Sequence, residues 1–271
     1  MPFNNPVVET YSRMAIEYDS PENVASCWGR VTQHSIGVLA IPETSKTVVD
    51  VGCGTGRELV QIASLTSPSV QFIGVEPAAN MRKVAIARTD QLANVRILSG
   101  SFESLPLEDD SVDYLYSILA FHWTTDLDKS VAELGRVMAP TGDMDLTFIG
   151  RHNGREFIQK TTPIFFKYMS PAAMMKAASL RKQLTLEETT ALFRNAFSAP
   201  ALSVEDSYHT YHDTLEGHWS WWVRVEGQLL DIPPGKKEEC DQAVRAALST
   251  LATDAGIPYT VHLIHLRLRQ S

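Results

Sequence analysis

The chain has 271 residues, 44% hydrophobic and 21% charged, enough to bury the core of one large α/β domain or two small ones. A formal net charge of −8, with no Lys/Arg run longer than a pair, works against phosphate backbones and anionic membranes, so neither nucleic acid nor membrane is an expected partner. No run of about eighteen apolar residues predicts a membrane span, and the first residues lack a basic and apolar leader, so a cytoplasmic location is the default expectation.

Residues 7–18 and 21–40 read as two helices, with Val24, Trp28 and Val31 on one face. The β-branched run 47–51 ends in glycines and predicts a buried strand. A helix over 57–65, a strand over 70–75, a helix over 78–92 and strands over 95–98 and 112–117 follow. Leu127, Val131, Leu134 and Met138 recur at spacings of four, three and four, an amphipathic helix. Pro140, Thr141 and Gly142 stop it before a strand over 143–149. Strands alternating with helices predict a doubly wound, mostly parallel sheet with right-handed crossovers. Residues 153–198 read as helical, interrupted at Pro163 and Pro171, and 202–211 as a strand. Ile264, Leu266 and Leu268 alternate with His265, Arg267 and Arg269, a strand with one wet face at or near an edge. The expected organisation is 1–45 as covering helices, 46–150 as a core, and 151–271 as cap segments and final strands of the same domain.

Chemistry concentrates where the first strand ends, in Val49-Asp50-Val51-Gly52-Cys53-Gly54-Thr55-Gly56-Arg57. Glycine at every second position lets a ligand touch the main chain, and the next helix offers unpaired N–H groups. A dinucleotide fingerprint needs its third glycine one residue later, where Arg57 stands. Asp50 repels phosphate but suits an ammonium, which favours S-adenosylmethionine over NAD. About twenty residues on, Glu76 ends the second strand, where a carboxylate can accept both ribose hydroxyls of an adenosyl group. The three cysteines, Cys27, Cys53 and Cys240, lack metal-ligand spacing and read as buried or idle thiols. His209, His212 and His218 have no acidic or cysteine partner to complete a zinc set, and no metal is expected.

The glycine loop, Gly74-Val75-Glu76-Pro77 with Met81, the segment 100–107, Ser111-Val112-Asp113, Phe121-His122-Trp123 and 133–142 together resemble the class I S-adenosylmethionine-dependent methyltransferases. The likeness is greatest to the small-molecule group that includes trans-aconitate and malonyl-carrier-protein methyl-ester formers, and covers residues 7–150 best. It implies a seven-stranded sheet with a helical cap. By resemblance Gly52, Cys53, Gly54 and Gly56 back the methionine part, Glu76 and Pro77 hold the ribose, Met81 packs on adenine, and Ser101 and Phe102 border its edge. Ser101 stands where the family commonly has aspartate. Ser117 and Ile118 would lie beside the sulfonium, with Tyr11 and Arg30 near the cofactor carboxylate.

His122 is the base candidate, with pocket shaping as the alternative role. Tyr18, Trp123, Tyr208, His209 and Trp222 are the expected substrate walls, within an aromatic-rich segment that suits a lid. Arg151 or Arg155 would clamp an acidic substrate. Methyl transfer to oxygen or nitrogen of a small metabolite is the expected activity. A carboxyl-methylating enzyme and a non-catalytic cofactor-binding protein are the alternatives. Oligomeric state is not legible.

Overall fold

A computed structural model of the chain describes residues 5–197, 201–222 and 229–269. Seven strands form one sheet: β1 (Thr47–Val51), β2 (Gln71–Val75), β3 (Val95–Leu98), β4 (Val112–Ile118), β5 (Met138–Ile149), β6 (Ala201–Asp213) and β7 (Ile257–Arg269). Their spatial order is β3-β2-β1-β4-β5-β7-β6. The first five run parallel, while β7 is antiparallel to both β5 and β6.

Period-two alternation builds both faces from the same strands. Val49, Val51, Ile73 and Leu115 enter one core with Val131, Leu134 and Phe193. Val48, Phe72, Tyr114 and Tyr116 enter the opposite core with Leu59 and Ile62. Helices therefore cover both sides, among them α4 (Arg57–Ser64), α5 (Ala79–Thr89), α6 (Leu127–Val137), α7 (Arg155–Tyr168), α8 (Pro171–Ser179) and α9 (Leu186–Ala196). A third apolar cluster joins Tyr259, Val261 and Leu263 of β7 to Phe157 of α7, Trp221 of α10 (Leu215–Trp222) and Val244 of α11 (Lys237–Ser249).

Several expected boundaries move. Described residues 5–40 make three helices, α1 (Pro6–Met14), α2 (Pro21–Ala25) and α3 (Cys27–Gly37), because Ser26 turns extended (φ −65°, ψ 173°) between the last two. Pro163 does not interrupt α7, whose buried Phe157, Thr161 and Phe165 hold the helix through the lost hydrogen bond. Pro171 instead starts α8, at a first-turn position where no N–H is required. Met138 has left the helix and begins β5, with an irregular register before Asp143. Residue 198, the end of the expected helical stretch, lies outside the described residues.

The strand order reverses between β1 and β4, whose carboxyl ends part to leave a crevice, the usual ligand position in such a sheet. α1 folds over that crevice and is pinned to α5 by hydrogen bonds from Asn80 N–H to Ser12 Oγ (3.1 Å) and from Asn80 Nδ2 to the Ser12 carbonyl (3.0 Å). Among the described residues, no helix is long and apolar enough to cross a membrane.

Candidate cofactor and acceptor site

β1 delivers Asp50 and the glycine turn to the crevice. Gly52 and Gly54 have φ of +83° and +55°, a region that L side chains rarely adopt. A Cβ on Gly52 would sit 2.4 Å from Ala120 Cβ, so this glycine also permits close approach of the β4 side of the cleft. A Cβ on Gly54 would meet nothing within 4 Å, so the main chain there faces open space that a ligand can fill. Gly56, also left-handed, caps α4.

Glu76 ties this loop to the end of β2. Its Oε2 accepts from Gly54 N–H (2.9 Å) and its Oε1 from Ala78 N–H (2.7 Å). Burial nevertheless dominates and pushes its pKa up to about 7, against the two backbone donors and Arg82. Asp50 is buried as well. Desolvation, then the charge of Glu58, raises its pKa well above the usual carboxylate range, while the Tyr116 hydroxyl opposes the rise. Buried carboxylates of this kind gain most from a cation or hydroxyl donor that replaces lost water.

Two cavities of about 140 and 290 Å³ flank the loop. Tyr11, Tyr18, Gly52, Gly54, Ile118 and Trp123 line both, so the two spaces meet at the glycine turn. The larger holds Glu76, Pro77, Met81, Ser101 and Phe102. The Ser101 hydroxyl there is buried and makes no well-formed hydrogen bond, with the Glu103 carboxylate as its polar neighbour. An apolar slot between Met81 and Phe102, with a carboxylate at one end and a buried hydroxyl, fits an adenosyl group. The smaller takes in Asp50, Cys53, Glu58 and His122, continuing to Trp28, Asn153, Arg181 and Gln183.

His122 is 4% exposed. Burial and then the neighbouring Arg181 charge push its pKa down to about 3. Its Nδ1 accepts from Ile149 N–H at a long 3.5 Å. Its carbonyl accepts from Lys182 N–H (2.7 Å), which fastens the segment between α8 and α9 across the strand ends. Sequence reasoning passed over that segment, which carries Arg181 and Gln183 without any motif. Asn153 and Trp28 were missed for the same reason, since only the tertiary crossing brings them here.

The remaining expected site residues lie outside both cavities. Ser117 donates to the Val51 carbonyl (2.7 Å) and joins the two strands that frame the crevice. Arg30 stacks on Tyr211, its guanidinium carbon 5.0 Å from the ring centroid. Arg151 pairs with Glu188 (2.7 Å), and Arg155 lies beside Glu156 (3.9 Å). On β6, at the sheet edge, Tyr208 stacks on His262 (4.4 Å), and His209 meets His34 with the rings tilted (4.7 Å between centroids). Trp222 is packed against Phe157 and Phe165 in the core. Of the aromatic-rich segment, Trp221 reaches the cavity and Trp222 does not.

A doubly wound sheet of this order, with a glycine turn and an acidic strand end at its switch point, defines a methyltransferase-type α/β fold. Residues 49–144 match the family described as "Methyltransferase domain". The chain is 37% identical over 136 residues to the malonyl-[acyl-carrier protein] O-methyltransferase of Yersinia pestis, covering 50% of this chain and 47% of that protein. It is 25% identical over 177 residues to the demethylmenaquinone methyltransferase of Staphylococcus aureus (strain JH9), covering 61% and 68%. The first of these alignments thus spans less than half of the relative. In fold the chain is similar to the YcgJ protein of Bacillus subtilis (TM-score 0.61, 21% identity, 88% and 99% covered). It is also similar to phosphoethanolamine N-methyltransferase 2 of Haemonchus contortus in complex with S-adenosyl-L-methionine (TM-score 0.59, 17% identity, 97% and 56% covered). Residues 49–144 thus carry a methyltransferase domain, and the likeness to solved methyltransferase structures extends that fold over most of the chain.

Proposed function

We propose that the protein transfers the methyl group of S-adenosylmethionine to oxygen or nitrogen of a small metabolite. The observation that carries this reading is the Glu76 carboxylate hydrogen-bonded to Gly54 N–H at the switch point, with Asp50 buried behind the turn. In this reading Glu76 accepts from the ribose hydroxyls, Met81, Pro77 and Phe102 enclose adenine, and Ser101 meets its edge. Gly52, Cys53 and Gly54 back the methionine part, whose ammonium compensates Asp50 and Glu58. Tyr11 and Tyr18 close the site from above, and Ile118 faces the sulfonium.

When bound, the cofactor supplies an electrophilic methyl carbon on an excellent leaving group, so the chain's work is alignment and exclusion of water. Residues 1–45 cover the donor in this reading, 46–150 bind it, and 151–271 contribute the acceptor side. His122 shapes the pocket and donates a hydrogen bond; a pKa near 3 makes it a poor general base at neutral pH. That observation favours a second reading within the first, transfer to a carboxylate, which carries no proton to remove.

Incubation with methyl-labelled S-adenosylmethionine and a mixture of small acids, amines and alcohols tests the activity. Transfer to an acceptor, lost in Gly54→Val, is the expected result. Cofactor binding without transfer to any acceptor would favour a non-catalytic binding protein.

A further inference from the structure

Charge is not spread evenly over this acidic chain. Residues 151–182 hold seven Lys and Arg against a single acid, Glu156, a net +6 where the whole chain carries −8. They comprise α7, α8 and the segment that follows α8. Exposed charges more than about 10 Å apart are screened from one another, so the negative total does not describe how this face meets an anion.

The same two helices leave large apolar side chains in water. Phe157 and Phe165 of α7 and Met169 of the link are buried in one cluster, on which Met174 and Ala177 of α8 also pack. Away from that cluster, Ile158 (51% exposed), Phe166 (63%) and Met175 (75%) face outward. They are three of the seven large hydrophobic side chains exposed among the described residues. Pro171 and Ala172, also exposed, extend the apolar surface at the start of α8.

Lysines border it. Lys160 and Lys167 are seven residues apart and so share one stripe of α7, while Lys176 follows Met175 on α8. All three are exposed. Lys167 is engaged with Glu239 (3.5 Å), as Arg151 is with Glu188 (2.7 Å). Lys160 and Lys176 make no ion pair among the described residues, which leaves their charges to an outside anion.

Exposed apolar side chains bordered by lysines match a lipid surface: the former enter the headgroup boundary and the latter meet lipid phosphates. A nucleic acid would satisfy the lysines but leave Phe166 and Met175 in water. A second copy of this chain would set like charges opposite each other.

We propose that the outer face of α7 and α8 docks on an anionic membrane surface. Ile158, Phe166 and Met175 enter the lipid, and Lys160 and Lys176 meet its phosphates. The chain leaving α8 runs directly to the crevice: Arg181 and Gln183 line the smaller cavity, and Lys182 N–H donates to the His122 carbonyl (2.7 Å). Docking therefore ties one wall of that cavity to the lipid surface.

The test sediments the full chain with sucrose-loaded vesicles at physiological salt. One set is phosphatidylcholine alone, the other equal parts phosphatidylcholine and phosphatidylglycerol. Binding to the anionic vesicles is expected to be about tenfold or more tighter than to the neutral ones. Phe166→Ser with Met175→Ser should weaken it about tenfold by removing two inserted side chains. Lys160→Gln with Lys176→Gln should weaken it about twentyfold, at roughly fivefold per lysine. Lys46→Gln with Lys83→Gln removes the same charge from exposed sites outside this face and should change binding less than about twofold. All six positions are exposed, and unchanged thermal scans confirm that each variant keeps its fold. Equal binding to both vesicle types would overturn the proposal, and so would equal losses in the two lysine pairs. Loss in Lys160→Gln with Lys176→Gln, but none in Phe166→Ser with Met175→Ser, would also overturn it and point to an acidic protein or nucleic acid. Binding is read without S-adenosylmethionine, so failure here leaves the methyltransferase reading untouched.

Discussion

Glu76 joins three functions in one side chain: it orders the glycine turn, caps the turn at Ala78 and offers its remaining lone pairs to the larger cavity. If Glu76 holds the donor as proposed, its pKa near 7 makes donor binding pH-dependent. The carboxylate form accepts two hydroxyl donors and the protonated form accepts less well, so binding strengthens as pH rises through 7. Protonation of Asp50 and Glu58, whose values are also raised, would act in the same direction. S-Adenosylhomocysteine affinity measured by calorimetry should fall about tenfold from pH 8 to pH 6. The stability sign is opposite to that of a salt-bridged carboxylate. The raised pKa costs nothing below the unfolded value, and its cost appears as pH rises toward 7 and persists above it. At this scale the meeting of Asp50, Glu76 and the glycines in one crevice was legible because it depends on local spacing along two strands. Arg181 was not, because a lone arginine between helices carries no local signal. Arg151 and Arg155 follow β5 in sequence, yet both lie outside the cavity, Arg151 paired with Glu188 and Arg155 exposed beside Glu156.

At the scale of elements, the crevice is closed by the N-terminal helices, and one residue of α5 links that cover to the glycine turn. Arg88 Nη1 donates to the Thr55 carbonyl (3.1 Å) and hydroxyl (2.9 Å), while its Nη2 pairs with Asp19 at 2.8 Å. Asp19 follows α1 and lines the smaller cavity. Arg88→Ala should therefore speed S-adenosylhomocysteine release roughly tenfold, read by stopped-flow, as expected for loss of a partly buried charge-assisted pair. An unchanged release rate would mean that the pair does not hold the cover. The helices themselves were readable from periodicity, but their joints were less so. The break at Ser26 depends on its backbone turning extended, and the continuity of α7 through Pro163 depends on burial of neighbouring side chains. Both are tertiary effects that override local preference.

Across the whole molecule the site end and the opposite end of the sheet do different work. Away from the crevice, Asp145 of β5 is fully buried and receives Arg269 (2.8 Å), His265 (3.3 Å) and the Tyr114 hydroxyl. Burial alone would raise its pKa, but these hydrogen bonds outweigh it and hold the value below the usual range. Its stabilisation is thus present above the unfolded value of about 3.9 and is lost as pH falls through the folded value. Asp145→Asn should lower the Tm by about 10 °C in a calorimetric scan at pH 7, because it unpairs a buried arrangement spanning β4, β5 and β7. S-Adenosylhomocysteine affinity should stay within twofold below the transition. The parallel half of the sheet was legible because each βα unit announces itself in a short window. The last two strands were legible as strands, and the final one as lying at or near an edge, but their partners were not, since the pairing of β7 with β5 joins residues more than a hundred positions apart.

Every functional assignment depends on the switch-point crevice binding S-adenosylmethionine. Calorimetric titration of the protein with S-adenosylmethionine, S-adenosylhomocysteine and NADH tests this most directly. The expected result is micromolar binding of the first two, weakened roughly 100-fold in Glu76→Ala by loss of two charged hydrogen bonds, and no binding of NADH. Binding of NADH with neither adenosyl-sulfur ligand bound would contradict it.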